Sequence, residues 1–201
     1  MDEVARYLPA GERRALTVET VIQLAAERNP GDITISAIAA RMGLTQAAVF
    51  RHFPTKEAVM QAVMSWVAEK LLSRVDVAIQ STASPSAALR AVFMTHVAFV
   101  VDHPGVPRII FQELQRTTSK GPRKLVQMLR RYGERLLRLL HEGKRRGELI
   151  ASLDVEAAAA LFVGSIQGLV MQSLLAGDAA SINRHAPAVL AIYMQGIGVK
   201  K

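Results

Sequence analysis

Thr34-Ile35-Ser36-Ala37-Ile38-Ala39-Ala40-Arg41-Met42-Gly43-Leu44-Thr45-Gln46-Ala47-Ala48-Val49-Phe50-Arg51-His52 is the stretch that decides the fold. Thr34 offers a hydroxyl to cap a helix start, and Ile35, Ile38, Ala39 and Met42 recur at helical spacing, which predicts a short helix with one apolar face. Gly43 falls at its C′ position, where a left-handed backbone carries no Cβ penalty, and Leu44 plugs the wedge beyond it. Thr45 caps a second short helix that ends near His52. Two short helices joined by a three-residue turn and packed on a longer first helix describe a helix-turn-helix, whose second helix reads a duplex. Val49 and Phe53, four residues apart, face inward and leave Gln46, Ala47, Phe50 and Arg51 outward. Ala47 and Ala48 are short enough for close approach to base edges and thymine methyls, and Gln46 can pair bidentately with adenine.

The flanks fit this reading. A first helix is predicted over residues 12 to 28, with Leu16, Val18, Val21, Ile22 and Ala25 on one face, and Asn29-Pro30-Gly31 stops it. Phe53-Pro54 breaks the chain after the second short helix. Thr55 then caps a long helix reaching about residue 83, with Val59, Val63, Trp66, Val67 and Leu71 as its stripe. From Ile35 to Thr45 and on through Val49-Phe50-Arg51-His52-Phe53-Pro54-Thr55-Lys56-Glu57-Ala58, the chain resembles the DNA-binding domain of the TetR family of bacterial transcriptional regulators, over about residues 12 to 60. The most diagnostic piece is the aromatic-x-His-Phe-x-Thr-Lys-Glu run. The resemblance implies that Thr34, Ser36, Thr45, Phe50, His52 and Lys56 fall where family members touch phosphates, and Gln46, Ala47, Ala48 and Arg51 where they approach bases or neighbouring phosphates. Phe50 departs from the family, which more often has tyrosine there, so no hydroxyl reaches a phosphate from this position. Lys56 has a physical rationale of its own, because it lies in the first turn of a helix whose free N–H groups already attract an anion.

Beyond Ser84-Pro85 the pattern changes to longer helices, over about 86 to 102, 106 to 116, 122 to 146, 155 to 176 and 181 to 198. Their breaks fall at His103-Pro104-Gly105, Ser119-Lys120-Gly121-Pro122, Gly147 and Gly177-Asp178. The expectation is an all-α protein of about nine helices: a helix-turn-helix domain over 1–60, then a larger ligand-binding and dimerisation domain over 61–201.

Composition narrows the function classes. With no cysteine among 201 residues, disulfides, thiolate metal sites and cysteine nucleophiles are excluded. No Gly-x-Ser-x-Gly, phosphate-binding loop, dinucleotide fingerprint or metal cluster argues for an enzyme, and neither a cofactor nor a metal is expected. The acidic start Met1-Asp2-Glu3-Val4-Ala5-Arg6 is unlike a signal peptide, so a cytoplasmic protein is expected. Residues 157 to 177 carry no charge, but seven of the 21 are polar or glycine, which argues for a buried helix and against a membrane span. The net charge of +8 is not a signal from the reading helix: residues 1 to 60 hold seven basic and seven acidic residues, leaving 18 and 10 for the remainder. Eleven of those basic residues lie between 116 and 146, where Leu125, Met128, Leu129, Tyr132, Leu136 and Leu140 form an inward stripe and Arg123, Arg130, Arg131, Arg138 and Arg145 lie elsewhere.

In the second part, His96 lies on the apolar stripe of Leu89, Val92, Phe93, Phe99 and Val100, and Gln167 lies against Val163, Val170 and Met171. A buried polar side chain needs a partner, which is either another core group or a ligand. The ligand candidates are Trp66, His96, Phe99, Phe111, Met128, Tyr132, Phe162 and Gln167. Leu161, Gly164, Gly168 and Met171, with Ala188, Ile192, Gln195 and Gly196, provide two smooth helix faces that can meet across a two-fold axis. The resemblance implies a four-helix bundle made by the last two long helices of each protomer. The function expected is a homodimeric repressor that binds a palindromic double-stranded operator and is released by a small molecule. The alternative is a DNA-bound organising protein of the same fold without an inducer.

Overall fold

The computed structural model describes residues 9–115, 123–178 and 180–199, and among them there are nine α-helices and no strand. They are α1 Ala10–Glu27, α2 Ile35–Arg41, α3 Gln46–Phe50, α4 Lys56–Gln80, α5 Pro85–Asp102, α6 Gly105–Gln115, α7 Arg123–Arg145, α8 Val155–Ala176 and α9 Ser181–Ile197. The expected all-α class and helix order hold. Asn29-Pro30-Gly31 does more than stop α1: a short 3-10 turn, Pro30–Asp32, follows, with the Asn29 side chain accepting from the Gly31 N–H. The start Met1 to Arg6, the break at Ser119 to Pro122, the residues Arg116 and Lys120 and the side chain of Arg123 lie outside the described residues.

The chain divides into two compact units, and the division does not follow sequence order. The first comprises Met1–Glu69 and His103–Val126, the second Lys70–Asp102 and Gln127–Lys201. Both α4 and α7 start in the first and finish in the second.

In the first unit α1 buries Val18, Val21, Ile22, Leu24 and Ala25, and α6 packs against it. That crossing is close because Gly105 opens α6: a Cβ there would lie 2.0 Å from the Ile22 carbonyl oxygen. The short helices close the core with Ile35, Ile38, Ala39, Met42, Val49 and Phe53. In the second unit α9 packs on α5 and α8, and α5 on α8. Phe162 is fully buried between Phe93 and Tyr193, with ring centroids 5.3 and 5.4 Å away in edge-on geometry. The Tyr193 hydroxyl donates to the Ala158 carbonyl at 3.0 Å, which satisfies the one polar atom of that cluster. Arg135 of α7 reaches Asp76 of α4 with two parallel bonds of 2.7 Å. Leu129 corrects the stripe predicted for α7. Leu125, Met128, Tyr132, Leu136 and Leu140 are buried, but Leu129 lies about 100° round the helix from Met128 and is 42% exposed.

Candidate nucleic-acid interface

The reading unit is built by caps and one glycine. Thr34 Oγ1 accepts from the Ala37 N–H at 3.1 Å, Thr45 Oγ1 from Ala48 at 3.2 Å and Thr55 Oγ1 from Ala58 at 3.1 Å. In each the hydroxyl oxygen is used as an acceptor, which leaves its hydrogen to donate outward, and that is the polarity a phosphate oxygen requires. Gly43 takes φ +66°, the left-handed conformation that lets the chain turn from α2 into α3. The face so formed exposes Thr34, Ser36, Thr45, Gln46, Ala47, Phe50 and Arg51. Phe50 is an apolar ring left 44% exposed in a polar setting.

Ala48 does not join them. It is buried beside Val49, because on a helix of only five residues Ala48 falls on the arc that packs inward with Val49 and Phe53. Its short side chain serves packing, and its place as a base-approaching residue is withdrawn.

His52 and Lys56 are held by the chain itself. The half-buried His52 ring has Nε2 3.2 Å from the Arg13 guanidinium of α1, and Arg14 donates to the His52 carbonyl at 2.6 Å. Burial pushes the imidazole pKa below its ordinary value, and Arg13, Arg14 and Arg51 push in the same direction. A guanidinium only donates, so Nε2 is the acceptor and Nδ1 carries the proton. Lys56 Nζ donates to the Gly31 carbonyl at 2.9 Å, tying the start of α4 to the 3-10 turn. Arg41, the one cation on α2, is taken up by Glu27 with a bond of 2.9 Å, and that hydrogen bond lowers the Glu27 pKa. The face therefore presents hydroxyls, small side chains and very few cations. The links from Arg13 and Arg14 to His52 were not legible in the sequence, since they join residues 39 and 38 positions apart.

Residues 18–63 match the model for bacterial regulatory proteins of the tetR family, and residues 82–171 match the tetracyclin repressor-like C-terminal domain. The chain belongs to the TetR family. It is similar to the nucleoid occlusion factor SlmA of Vibrio cholerae, with 27% identity over 165 residues covering 79% of this chain and 84% of that one. Its fold is similar to that of a regulator from Saccharomonospora viridis solved in complex with choline (TM-score 0.84, 18% identity, covering 94% and 100% of the chains). It is similar as well to FadR of Bacillus subtilis in complex with stearoyl-CoA (TM-score 0.77, 21% identity, covering 91% and 98%). As a TetR-family member the protein is a DNA-binding regulator. Choline and stearoyl-CoA share little chemistry, so the fold shared with these two structures does not name a ligand.

The ligand candidates of this TetR-family chain fall in both units. Trp66 and Phe111 are half-buried in the first, where Trp66 meets His103 edge-on at 5.1 Å. In the second, His96 Nδ1 and the Tyr132 hydroxyl lie 3.0 Å apart, so the polar ring on the apolar stripe has a core partner. Dense surroundings push the His96 pKa down to about 4, although part of its surface stays accessible, and burial pushes Tyr132 up. Phe99 and Met128 are buried, with Arg74 over the Phe99 ring at 5.4 Å, and Phe162 is plain core. Gln167 requires a correction. It is exposed, as are Gly168 and Met171, and Val163 is only half-buried. Beyond Glu156, α8 has no charge to mark which arc faces the core, so its pattern does not orient it.

That exposed arc of α8 holds Leu161, Gly164, Gly168 and Met171, and α9 exposes Ala188, Ile192, Gln195 and Gly196. Leu161 is 58% and Ile192 69% exposed, and a Cβ on Gly164, Gly168 or Gly196 would meet nothing within 4 Å. By length and composition α8 is the one helix among the described residues apolar enough to cross a membrane.

Proposed function

We propose that the protein is a homodimeric repressor that binds a palindromic operator through α3 and its caps and is released by a small-molecule ligand. The observation that carries this reading is the presence, on one chain, of an exposed reading face and a second exposed face of small and apolar residues on α8 and α9. An apolar surface of that kind needs a cover, and a second copy of the chain supplies the same face in reverse across a two-fold axis. A partner protomer, and not lipid, is the cover assigned to α8, and the protein is read as cytoplasmic. Gln46, Ala47 and Arg51 read bases or adjacent phosphates, and Phe50 meets a thymine methyl. Thr34, Ser36, Thr45, His52 and Lys56 hold phosphates, His52 through Nδ1–H. Residues 1–60 form the DNA-binding part and 61–201 the part that dimerises and senses.

Genome-wide DNA capture with the purified protein tests this. Near-palindromes with half-sites centred about 34 Å apart, or a multiple of it, are expected. One protomer per site in a gel shift would overturn it.

A second reading, a DNA-bound organising protein with no inducer, is favoured by the similarity to nucleoid occlusion factors. The internal His96–Tyr132 bond supports it too, since that imidazole does not need a ligand. Linkage separates the two, because an inducer that weakens operator binding must itself bind more weakly, by the same factor, when operator is present. Equal ligand affinities with and without operator favour the second reading.

A further inference from the structure

The first unit carries a cleft of about 400 Å³ that the DNA-reading face does not use. Arg14 and Phe53 bound one part of it, Ala62, Trp66 and Glu69 line the α4 side, and Lys124 from the start of α7 reaches across. Its volume falls in the range of small-molecule sites. The Arg14 guanidinium lies 4.4 Å over the Phe53 ring and donates to the His52 carbonyl. Lys124 Nζ donates to the Gln61 carbonyl at 3.3 Å and to the Ser65 hydroxyl. A guanidinium has five N–H donors and an ammonium three, so both groups keep donors beyond these bonds. Lys124 is thus fixed along α4 between Gln61 and Ser65, beside Ala62, whereas Glu69 lies about one turn beyond Ser65, at the Trp66 end. The lining thus combines two cations, Arg14 and Lys124, with a small residue, Ala62, two aromatic rings, Phe53 and Trp66, and one acid, Glu69.

We propose that this cleft binds a small planar aromatic carboxylate, with the carboxylate on the Arg14 and Lys124 side and the ring against Ala62 and Trp66. Two cations against one acid complement a single negative charge, and the apolar part of the lining favours a flat ring over a sugar or an inorganic anion. The site is separate from the His96 and Tyr132 candidates and does not depend on whether they take an inducer. It does bear on the reading helix, since Arg14 also holds the carbonyl of His52 just beyond α3.

Trp66 is the only tryptophan in the chain, so its fluorescence reports this cleft directly. The full chain, without DNA, is titrated with 2-naphthoate and with its uncharged analogue 2-naphthamide, and heats of binding are measured in parallel. Saturable quenching with one 2-naphthoate per chain is expected, with 2-naphthamide about tenfold weaker. Lys124→Gln changes an exposed side chain and should weaken 2-naphthoate about fivefold while leaving 2-naphthamide unchanged. His96→Gln should leave both unchanged. Absence of saturable quenching, equal affinity for the two probes, or indifference to Lys124→Gln overturns the proposal. Because no step of this test uses DNA, its failure leaves the operator reading standing, and failure of the operator reading leaves the cleft standing.

Discussion

Replacing Gly105 with alanine adds one methyl group at the close crossing of α1 and α6. An ideal Cβ would sit 2.0 Å from the Ile22 carbonyl oxygen and 2.8 Å from the Ala26 nitrogen. Ordinary contact needs about 3.5 Å, so α6 must retreat from α1 by more than 1 Å, and the obstacle is helix backbone that has no rotamer to change. Overpacking usually costs 1–3 kcal/mol, and a clash with backbone belongs at the upper end, about 3 kcal/mol. For a chain of this size that lowers Tm by roughly 6–12 °C. Gly133→Ala is the matched control. It lies inside α7 with nothing within 4 Å of its Cβ position, so the same methyl group should stabilise the helix by about 0.5–1 kcal/mol and raise Tm by a few degrees. Thermal unfolding followed by circular dichroism, at one protein concentration for all three proteins, measures both. If Gly105→Ala melts within about 2 °C of the parent, the α1–α6 approach is not as close as described and the argument fails.

The other predictions concern DNA, assembly and pH. Gly168→Glu has room in the single chain, so it should leave the protomer folded. It would bury two unpaired charges across a two-fold interface at several kcal/mol, giving monomers by sedimentation and weak operator binding; dimers of unchanged affinity would move the interface elsewhere. Lys56→Ala should weaken binding to all duplexes alike and lower the salt slope by about one, whereas Gln46→Ala should relax preference at one base position and cost about 1–3 kcal/mol on the cognate site only. Uniform loss in both variants would remove Gln46 as a base reader. His96 is neutral when folded, with its pKa lowered from 6.5 to about 4, so the unfolded chain binds the proton first as pH falls. Stability is then complete above about pH 6.5 and declines towards pH 4 by up to about 3 kcal/mol. Denaturant unfolding of the parent and of His96→Gln across that window should show the flatter profile in the variant, and parallel profiles would contradict the burial of the ring.

The parts of the fold legible in the sequence are those set by local chemistry. Thr34, Thr45 and Thr55 stand where a side-chain oxygen meets free N–H groups at a helix start, and each accepts such a bond in the structure. Gly43, Gly147 and Gly177 stand where the chain must take a positive φ, and each does. The outward set Gln46, Ala47, Phe50 and Arg51 followed from a period of 3.6 and is exposed. What escaped depends on neighbours distant in sequence. The Asp76–Arg135 pair spans 59 positions, and nothing in the spacing of α7 distinguishes Arg135 from the solvent-facing arginines around it. The intolerance of Gly105 for a Cβ exists only because α1 passes beside it. The place of Gln167 is not legible because residues 157 to 177 carry no charge, so that the pattern of α8 holds two candidate inner faces and the packing of Phe162, Ile166 and Leu169 selects between them.

The charge distribution gives the two exposed faces a common logic. The first 60 residues carry no net charge, Arg41 is paired with Glu27, and Arg13 and Arg14 are turned towards His52. In the proposed reading, Arg51 and Lys56 are the cations of the reading face that meet phosphates, and Lys56 is shared with the Gly31 carbonyl. Each phosphate neutralised contributes a salt slope of about −0.9, so one head supplies about −2 and only modest affinity in physiological salt. Base contacts from Gln46 and Arg51 add discrimination, but a helix of five residues touches few base pairs. A second head on the same ligand raises the effective concentration of the first at its half-site, which multiplies affinity without adding a contact to either. In the proposed dimer the uncharged faces of α8 and α9 are as much a part of DNA recognition as α3 itself, because a weakly cationic reading face achieves useful occupancy only when it is delivered in pairs.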